Sequence, residues 1–394
     1  MSSMLSLALL SAVSGLSPAA EPAPPPIING GDATEDDYAM AGAMVQHAVL
    51  TLDYFGTFEL RSLVCSSTLI APDVVMLAAH CIDETLLTFG FGTVDEREIR
   101  WTREADLSAW DGSAILDWPE DSVKAWDWVM HDSWDAYALE TGLSLNHDIA
   151  LLFLEEALTD APLSYLISAE ESSQIEEGLD VTVVGWGQQT ATGTFEPIPA
   201  GTYGYKQMGI SHINELNDYE LQIGDLESDV RKCHGDSGGP TFLEIETDSS
   251  VTFRQIGVTS HAYDETDCFE TGGVDTRVDY YLDWIDAEMR ARCEDGTRAW
   301  CDVPGILPAP GEGGGDSGTG GTDGGGDDTG PGGVDSGIDS GIDGGVDDGS
   351  DGDGDEANDA KGCGCAASPA SAPGAVWVMG LIGAAALRRR RSAR

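Results

Sequence analysis

Positive charge is scarce in this chain: 19 Lys and Arg face 70 Asp and Glu, a net charge of −51 at pH 7. A surface this acidic repels phosphate backbones, which excludes nucleic acid as a partner. The imbalance is not confined to one region. Residues 1–310 carry 55 acidic against 13 basic side chains, and residues 311–361 carry fifteen against one. It suits high-salt surroundings, where screening relieves self-repulsion, and equally an acidic extracellular protein at ordinary salt. Residues 311–361 also lack any aromatic and are nearly all Gly, Asp, Ser and Thr. Such a stretch cannot bury enough apolar area to offset backbone ordering, so it reads as disordered. Long apolar runs are missing as well. The run at 5–16 is too short to span a bilayer as a mature helix, and residues 1–20 read as a secretory signal, although no Lys or Arg precedes the run. The first Lys or Arg is Arg61. Eight cysteines fit an oxidising compartment, but none lies between Cys81 and Cys233.

What remains to fold is roughly residues 27–302, enough for one large all-β domain. Short apolar runs rich in β-branched residues recur at 48–52, 63–70, 74–77, 149–154, 181–184 and 255–260, punctuated by Gly, Pro, Asp and Asn. That spacing predicts an antiparallel barrel or sandwich. One helix is predicted over 280–292, where Tyr281, Trp284, Ile285 and Met289 recur at helical spacing. Two β-barrels closed by a C-terminal helix fit this pattern. Beyond them, tetrads such as Val334-Asp335-Ser336-Gly337 and Ile338-Asp339-Ser340-Gly341 read as a flexible, self-repelling spacer. Weak calcium binding by the spaced carboxylates is the alternative reading, less favoured because no Glu closes a loop at the spacing an EF-hand requires.

The chemistry is concentrated in three segments. In Cys233-His234-Gly235-Asp236-Ser237-Gly238-Gly239-Pro240, glycines flank a serine and let the backbone bend tightly. A serine hydroxyl becomes a useful nucleophile only with a base to take its proton and donors to hold the oxyanion. Leu77-Ala78-Ala79-His80-Cys81 offers the base, and Asn146-His147-Asp148-Ile149-Ala150-Leu151-Leu152 a carboxylate to orient it. The run 235–240 resembles the nucleophile segment of the trypsin/chymotrypsin family of serine peptidases. The histidine and aspartate segments resemble that family's too, in the family's order His, Asp, Ser. The likeness extends over roughly 27–289 and includes Val184-Gly185-Trp186-Gly187 and 272–278.

The resemblance implies two antiparallel six-stranded β-barrels with the site between them and His80, Asp148 and Ser237 as catalytic triad. It implies an oxyanion hole from the N–H groups of Gly235 and Ser237. It also implies an activation pair: a new N-terminus at Ile27 whose ammonium meets Asp236. Disulfides are expected for Cys65 with Cys81, with Cys233 and Cys268 also bonded. The pair Cys293 and Cys301, an addition to the family pattern, closes a small loop after the final helix. No cofactor and no metal are expected. Partners are protein or peptide substrates and an activating or sorting protease. A non-catalytic binding or adhesion protein on this scaffold would be marked by a lost triad residue, and none is lost.

Departures from the family pattern bear on activation and specificity. Pro26, not Arg or Lys, precedes Ile27, which makes trypsin-like autoactivation a poor expectation. The family's disulfide upstream of the serine loop is absent. Counting back from Ser237, the pocket floor that is Asp in trypsins is Arg231, with Lys232 beside it. The wall is Ser260-His261-Ala262, with Gly273 opposite, Asp275 where Tyr is common, and His234 at hand. An unpaired Arg231 or Lys232 would favour Glu or Asp on the acyl side of the cut. If Asp275 neutralises Arg231, small or apolar residues are preferred. The first outcome is favoured, because leaving a buried cation unpaired is costly.

The organisation expected is a signal at 1–20, a short pro-segment at 21–26, the peptidase domain at 27–302, a spacer at 303–361 and a terminal segment at 362–394. That last segment holds Gly362-Cys363-Gly364-Cys365, an apolar run at 375–387 and Arg388 to Arg391. It resembles the myxobacterial sorting signal called MYXO-CTERM, a plain membrane anchor being the alternative. Cys363 and Cys365 are then sites of processing or lipidation; two thiols are too few for structural zinc. The product would be secreted, or held at the cell envelope through this segment.

Overall fold

The structure, a computed structural model of the chain, describes residues 26–112, 117–190, 198–246, 251–263 and 271–307. A first barrel is made by β2 (Ala41–Leu52), β3 (Gly56–Ala71), β4 (Val74–Leu77), β5 (Gly92–Thr102), β6 (Val123–Met130) and β7 (Ala150–Leu154). Its strands close in the order β2-β3-β4-β7-β6-β5, every pairing antiparallel. Closure leaves no free sheet edge. The second barrel uses β8 (Asp180–Gly185), β9 (Gln207–Leu216), β10 (Glu220–Ile223), β11 (Pro240–Glu246), β12 (Val251–Ala262) and β13 (Gly273–Arg277). These run β9-β10-β13-β12-β11-β8, and β8 pairs back to β9 to close the ring. A two-residue strand, β1 (Gly31–Asp32), is added outside it on β9.

The elements with the plainest sequence signals are those buried on all sides. Strands β4 and β7 are buried at every position, which is why they read as unbroken apolar runs. Strands β5, β9 and β10 carry no such run. In β5 the exposed positions hold Asp95, Glu96 and Thr93, while Ile99 and Trp101 face the core. The first core is filled by Met44, Leu69, Val75, Leu77, Leu151 and Phe153, and the second by Ile27, Val181, Val183, Ile213, Ile223 and Ile256. A third cluster joins residues of both barrels, with Ala43, Val45 and Leu63 against Val184, Trp186 and Phe242. Hydrogen bonds also cross between the barrels, from Ser66 to the Gly235 carbonyl and from Ser260 to Asp148.

The C-terminal helix runs Leu282–Glu294, preceded by a 3₁₀ turn Asp279–Tyr281, and lays Ile285 and Met289 on the first core. The chain then turns back, closed by the Cys293–Cys301 disulfide. Packing continues through Leu307, whose N–H, like that of Ile306, donates to Asp286. Arg298 anchors this return. Its guanidinium reaches Asp73 Oδ1 at 2.6 Å, both side chains being almost fully buried, and Trp300 N–H donates to the same carboxylate at 2.9 Å. Removing one partner of such a pair leaves the other charge buried and uncompensated. Asp73→Ala or Arg298→Ala should therefore destabilise the domain by about 3–5 kcal/mol in urea unfolding. Exchanging both for apolar residues should restore most of the loss. A single-variant loss below about 1 kcal/mol would place the pair among ordinary surface bridges.

Candidate active site

Register brings the base and its partner together. β4 and β7 pair Leu77 with Ala150, so the residues just after β4 lie beside those just before β7. His80 sits on a single 3₁₀ turn, Ala79–Cys81, held from behind by the Cys65–Cys81 disulfide to β3. Asp148 is fully buried. Its Oδ1 accepts the main-chain N–H of His80 at 2.9 Å, and its Oδ2 accepts His80 Nδ1–H at 2.7 Å. From β12 in the other barrel, Ser260 Oγ–H donates to the same Oδ2 at 2.6 Å, and Thr276 of β13 donates to the Asp148 carbonyl at 3.0 Å. Burial pushes this carboxyl up, but the His80 charge and the hydrogen bonds from His80 and Ser260 outweigh it and hold the group below the usual carboxylate range. With Nδ1 committed to Asp148, Nε2 is the remaining ring nitrogen, 3.8 Å from Cys81 Sγ.

Ser237 lies in the turn that leads into β11 and is almost buried. The turn needs its glycines. Gly235 and Gly238 have φ of 94° and 76°, a region costly for other residues. A Cβ at Gly235 would come within 2.8 Å of the Tyr203 ring, and one at Gly238 within 2.5 Å of the Ser66 carbonyl. Ser66 pins the loop from the first barrel, its N–H and Oγ–H both donating to the Gly235 carbonyl at 3.1 and 2.9 Å. Next to Ser237, the Asp236 carboxyl is wholly buried and accepts N–H groups of Gly187 and Cys233, each at 2.8 Å. Burial raises it to about 7 against the pull of those donors and of Lys232. Ile27 is buried in the second core, and Ile28 forms a main-chain bridge to Arg231.

A family model described as Trypsin matches residues 44–285. The chain belongs to the trypsin family. Trypsin I-P1 of Gallus gallus is 25% identical over 232 residues, covering 57% of this chain and 79% of that protein. A CLIP domain-containing serine protease B10 of Anopheles gambiae is 27% identical over 250 residues, 61% of this chain and 65% of its own length. A chymotrypsin of Phaedon cochleariae is 26% identical, with 58% and 74% covered. The chain is a serine-type endopeptidase.

In this trypsin-family domain one cleft beside Ser237 is lined by Lys232, His234, Ser260, His261, Ala262 and Gly273, together with Cys233. Arg231 and Asp275 stand outside that lining. Arg231 is buried and donates from Nη2 to the Glu227 carbonyl at 3.2 Å, rather than reaching towards the serine. The cation that lines the cleft is Lys232. Its ammonium bonds Asp275 directly and Thr241 Oγ1 at 2.8 Å, so Asp275 neutralises Lys232 and not Arg231. His261 Nδ1–H donates to the Ala262 carbonyl at 2.7 Å, and its Nε2 lies 3.5 Å from buried Glu220.

Cys233 is disulfide-bonded, while Cys268 lies outside the described residues. Two groups of described side chains have metal-ligand spacing. One is Cys65, His80 and Cys81, whose sulfurs are consumed by their disulfide. The other is His212, Asp225 and Asp229, an ion-paired cluster in which Asp229 already accepts two main-chain N–H groups. Ser66, Thr276 and Glu220 support the site but carry no signal in the sequence. A lone hydroxyl or carboxylate within a strand looks like surface until its neighbours are known. Ser260 is legible as a pocket wall, yet its contact with Asp148 is not.

Proposed function

We propose that this endopeptidase hydrolyses peptide bonds through His80, Asp148 and Ser237 by way of an acyl-enzyme. The observation that carries the reading is the buried Asp148 carboxylate shared by His80 Nδ1 at 2.7 Å and Ser260 Oγ at 2.6 Å. That arrangement fixes one imidazole tautomer and stabilises the imidazolium formed during reaction. Ser237 Oγ attacks the scissile carbonyl while His80 Nε2 takes its proton. The N–H groups of Gly235 and Ser237 hold the oxyanion, and His80 then protonates the departing amine. Water, deprotonated by the same imidazole, releases the acyl group. Primary specificity is not trypsin-like, since the charged side chain lining the cleft is a cation, Lys232, held from behind by Asp275.

The proposal extends to the flanking segments, almost all of them outside the described residues. Residues 1–20 direct secretion, 21–26 are removed, the Gly- and Asp-rich stretch holds the protease away from the envelope, and 362–394 sort or anchor it. A fluorophosphonate probe tests the catalytic core, because it labels only an activated serine. The chain released at Ile27 should take up one probe, on Ser237, and lose the label in Ser237→Ala. Absence of labelling in a folded, released chain would favour a binding protein on this scaffold.

A further inference from the structure

Two cation-forming side chains that line the cleft beside Ser237 are each matched from behind by a buried carboxylate. Lys232 and Asp275 are 1% and 0% exposed, and the hydroxyl of Thr241 bridges them, accepting from the ammonium and donating to the second carboxylate oxygen. His261 has Glu220, itself fixed by the Ser144 N–H at 2.6 Å and Asn146 Nδ2 at 3.0 Å. His234, the third, is partly exposed. A substrate carboxylate entering the cleft would have to draw Lys232 away from Asp275 and leave a buried carboxylate uncompensated. A substrate ammonium or guanidinium would meet the lysine first, with the neutralising carboxylate already engaged. An uncharged side chain disturbs neither pair. The cleft is also small, about 30 Å³, room for a water or two and suited to a short side chain.

We propose that the Lys232–Asp275 pair is the specificity determinant of this endopeptidase and restricts cleavage to the acyl side of small uncharged residues such as Ala, Ser or Val. The proposal rests on the endopeptidase reading above and replaces the acidic preference favoured from the sequence. It is tested on the full chain released at Ile27, with peptides differing only at the residue before the cut. The natural chain should show kcat/KM for Ala, Ser or Val at least tenfold above that for Asp, Glu, Lys or Arg. Asp275→Asn keeps the shape but frees the ammonium, and should raise the Glu-to-Ala ratio tenfold or more. Lys232→Met combined with Asp275→Asn should return the ratio to that of the natural chain. Dominant cleavage after acidic or basic residues by the natural chain overturns the proposal, as does an unchanged ratio in folded Asp275→Asn. Should Asp275→Asn fail to fold, the natural chain's ranking alone decides. Fluorophosphonate labelling of the same samples separates the two readings. A labelled chain with the wrong ranking sinks the pocket proposal alone, whereas an unlabelled, inactive chain sinks the endopeptidase mechanism.

Discussion

Ser237→Ala should lower peptide turnover by about four to six orders of magnitude while leaving unfolding by urea unchanged. The size of the effect follows from division of labour. Without Oγ there is no acyl-enzyme, and only the oxyanion donors and substrate binding remain to speed attack by water. The unaltered fold follows from the position, since the change removes one oxygen from a cleft-lining side chain and leaves the turn's glycines in place. Asp148→Asn should be nearly as damaging, by roughly 10⁴-fold. An amide in place of Oδ2 presents a donor where His80 Nδ1–H and Ser260 Oγ–H both need an acceptor. The two variants together should cost about as much as Ser237→Ala alone, because the groups act as a unit. A purified Ser237→Ala chain that kept near-natural rates would overturn the assignment of all three residues.

A chain beginning at Glu21 should be inactive, and should gain activity by about two to three orders of magnitude once Ile27 is its free N-terminus. Asp236 supplies the reason. In the uncut chain it is a buried carboxyl with only main-chain donors and the nearby Lys232 charge to steady it, which leaves it raised to about 7. Because the folded value lies above the ordinary 3.8, the uncut fold binds a proton that the unfolded chain releases. Its stability therefore falls as pH rises from about 4 to about 7, and the penalty is complete above that window. Asp236→Asn in the uncut chain should show no such fall, so its advantage in urea should be absent near pH 4 and greatest at pH 8. Release of Ile27 reverses the sign. The new ammonium should give Asp236 a partner, and Asp236→Asn should then forfeit the proposed pair that orders the oxyanion loop. Since Pro26 precedes Ile27 and no Lys or Arg occurs before Arg61, the cut is expected from an outside protease that accepts Pro or from signal cleavage near Ile27. Full activity in the chain beginning at Glu21 would make the Ile27–Asp236 pair irrelevant.

The legible parts of this protein share a property: their meaning is local. Gly235 and Gly238 are required by the backbone of their own turn. Strands β4 and β7 announce themselves because every side chain in them is buried. The helix over 282–294 shows its apolar face at helical spacing within one segment. Strands β9 and β10 hide because their polar residues have partners elsewhere, Asn214 with Gln222 across the pair and Glu220 with Ser144 and Asn146.

What the sequence by itself determined is the family likeness: a serine flanked by glycines, a histidine beside a cysteine and an aspartate ahead of an apolar strand, in the order His, Asp, Ser. Tertiary structure alone decided how the buried charges are matched. Adjacent residues of an extended segment point to opposite sides, so whether Arg231 or Lys232 faces the cleft depends on how that segment is seated, not on which residue stands at the counted position. Asp275 takes Lys232 across 43 residues of chain, and Asp73 takes Arg298 across 225. Such pairs form because burial makes an unmatched charge costly, and which charges are buried together is set only when the barrels close.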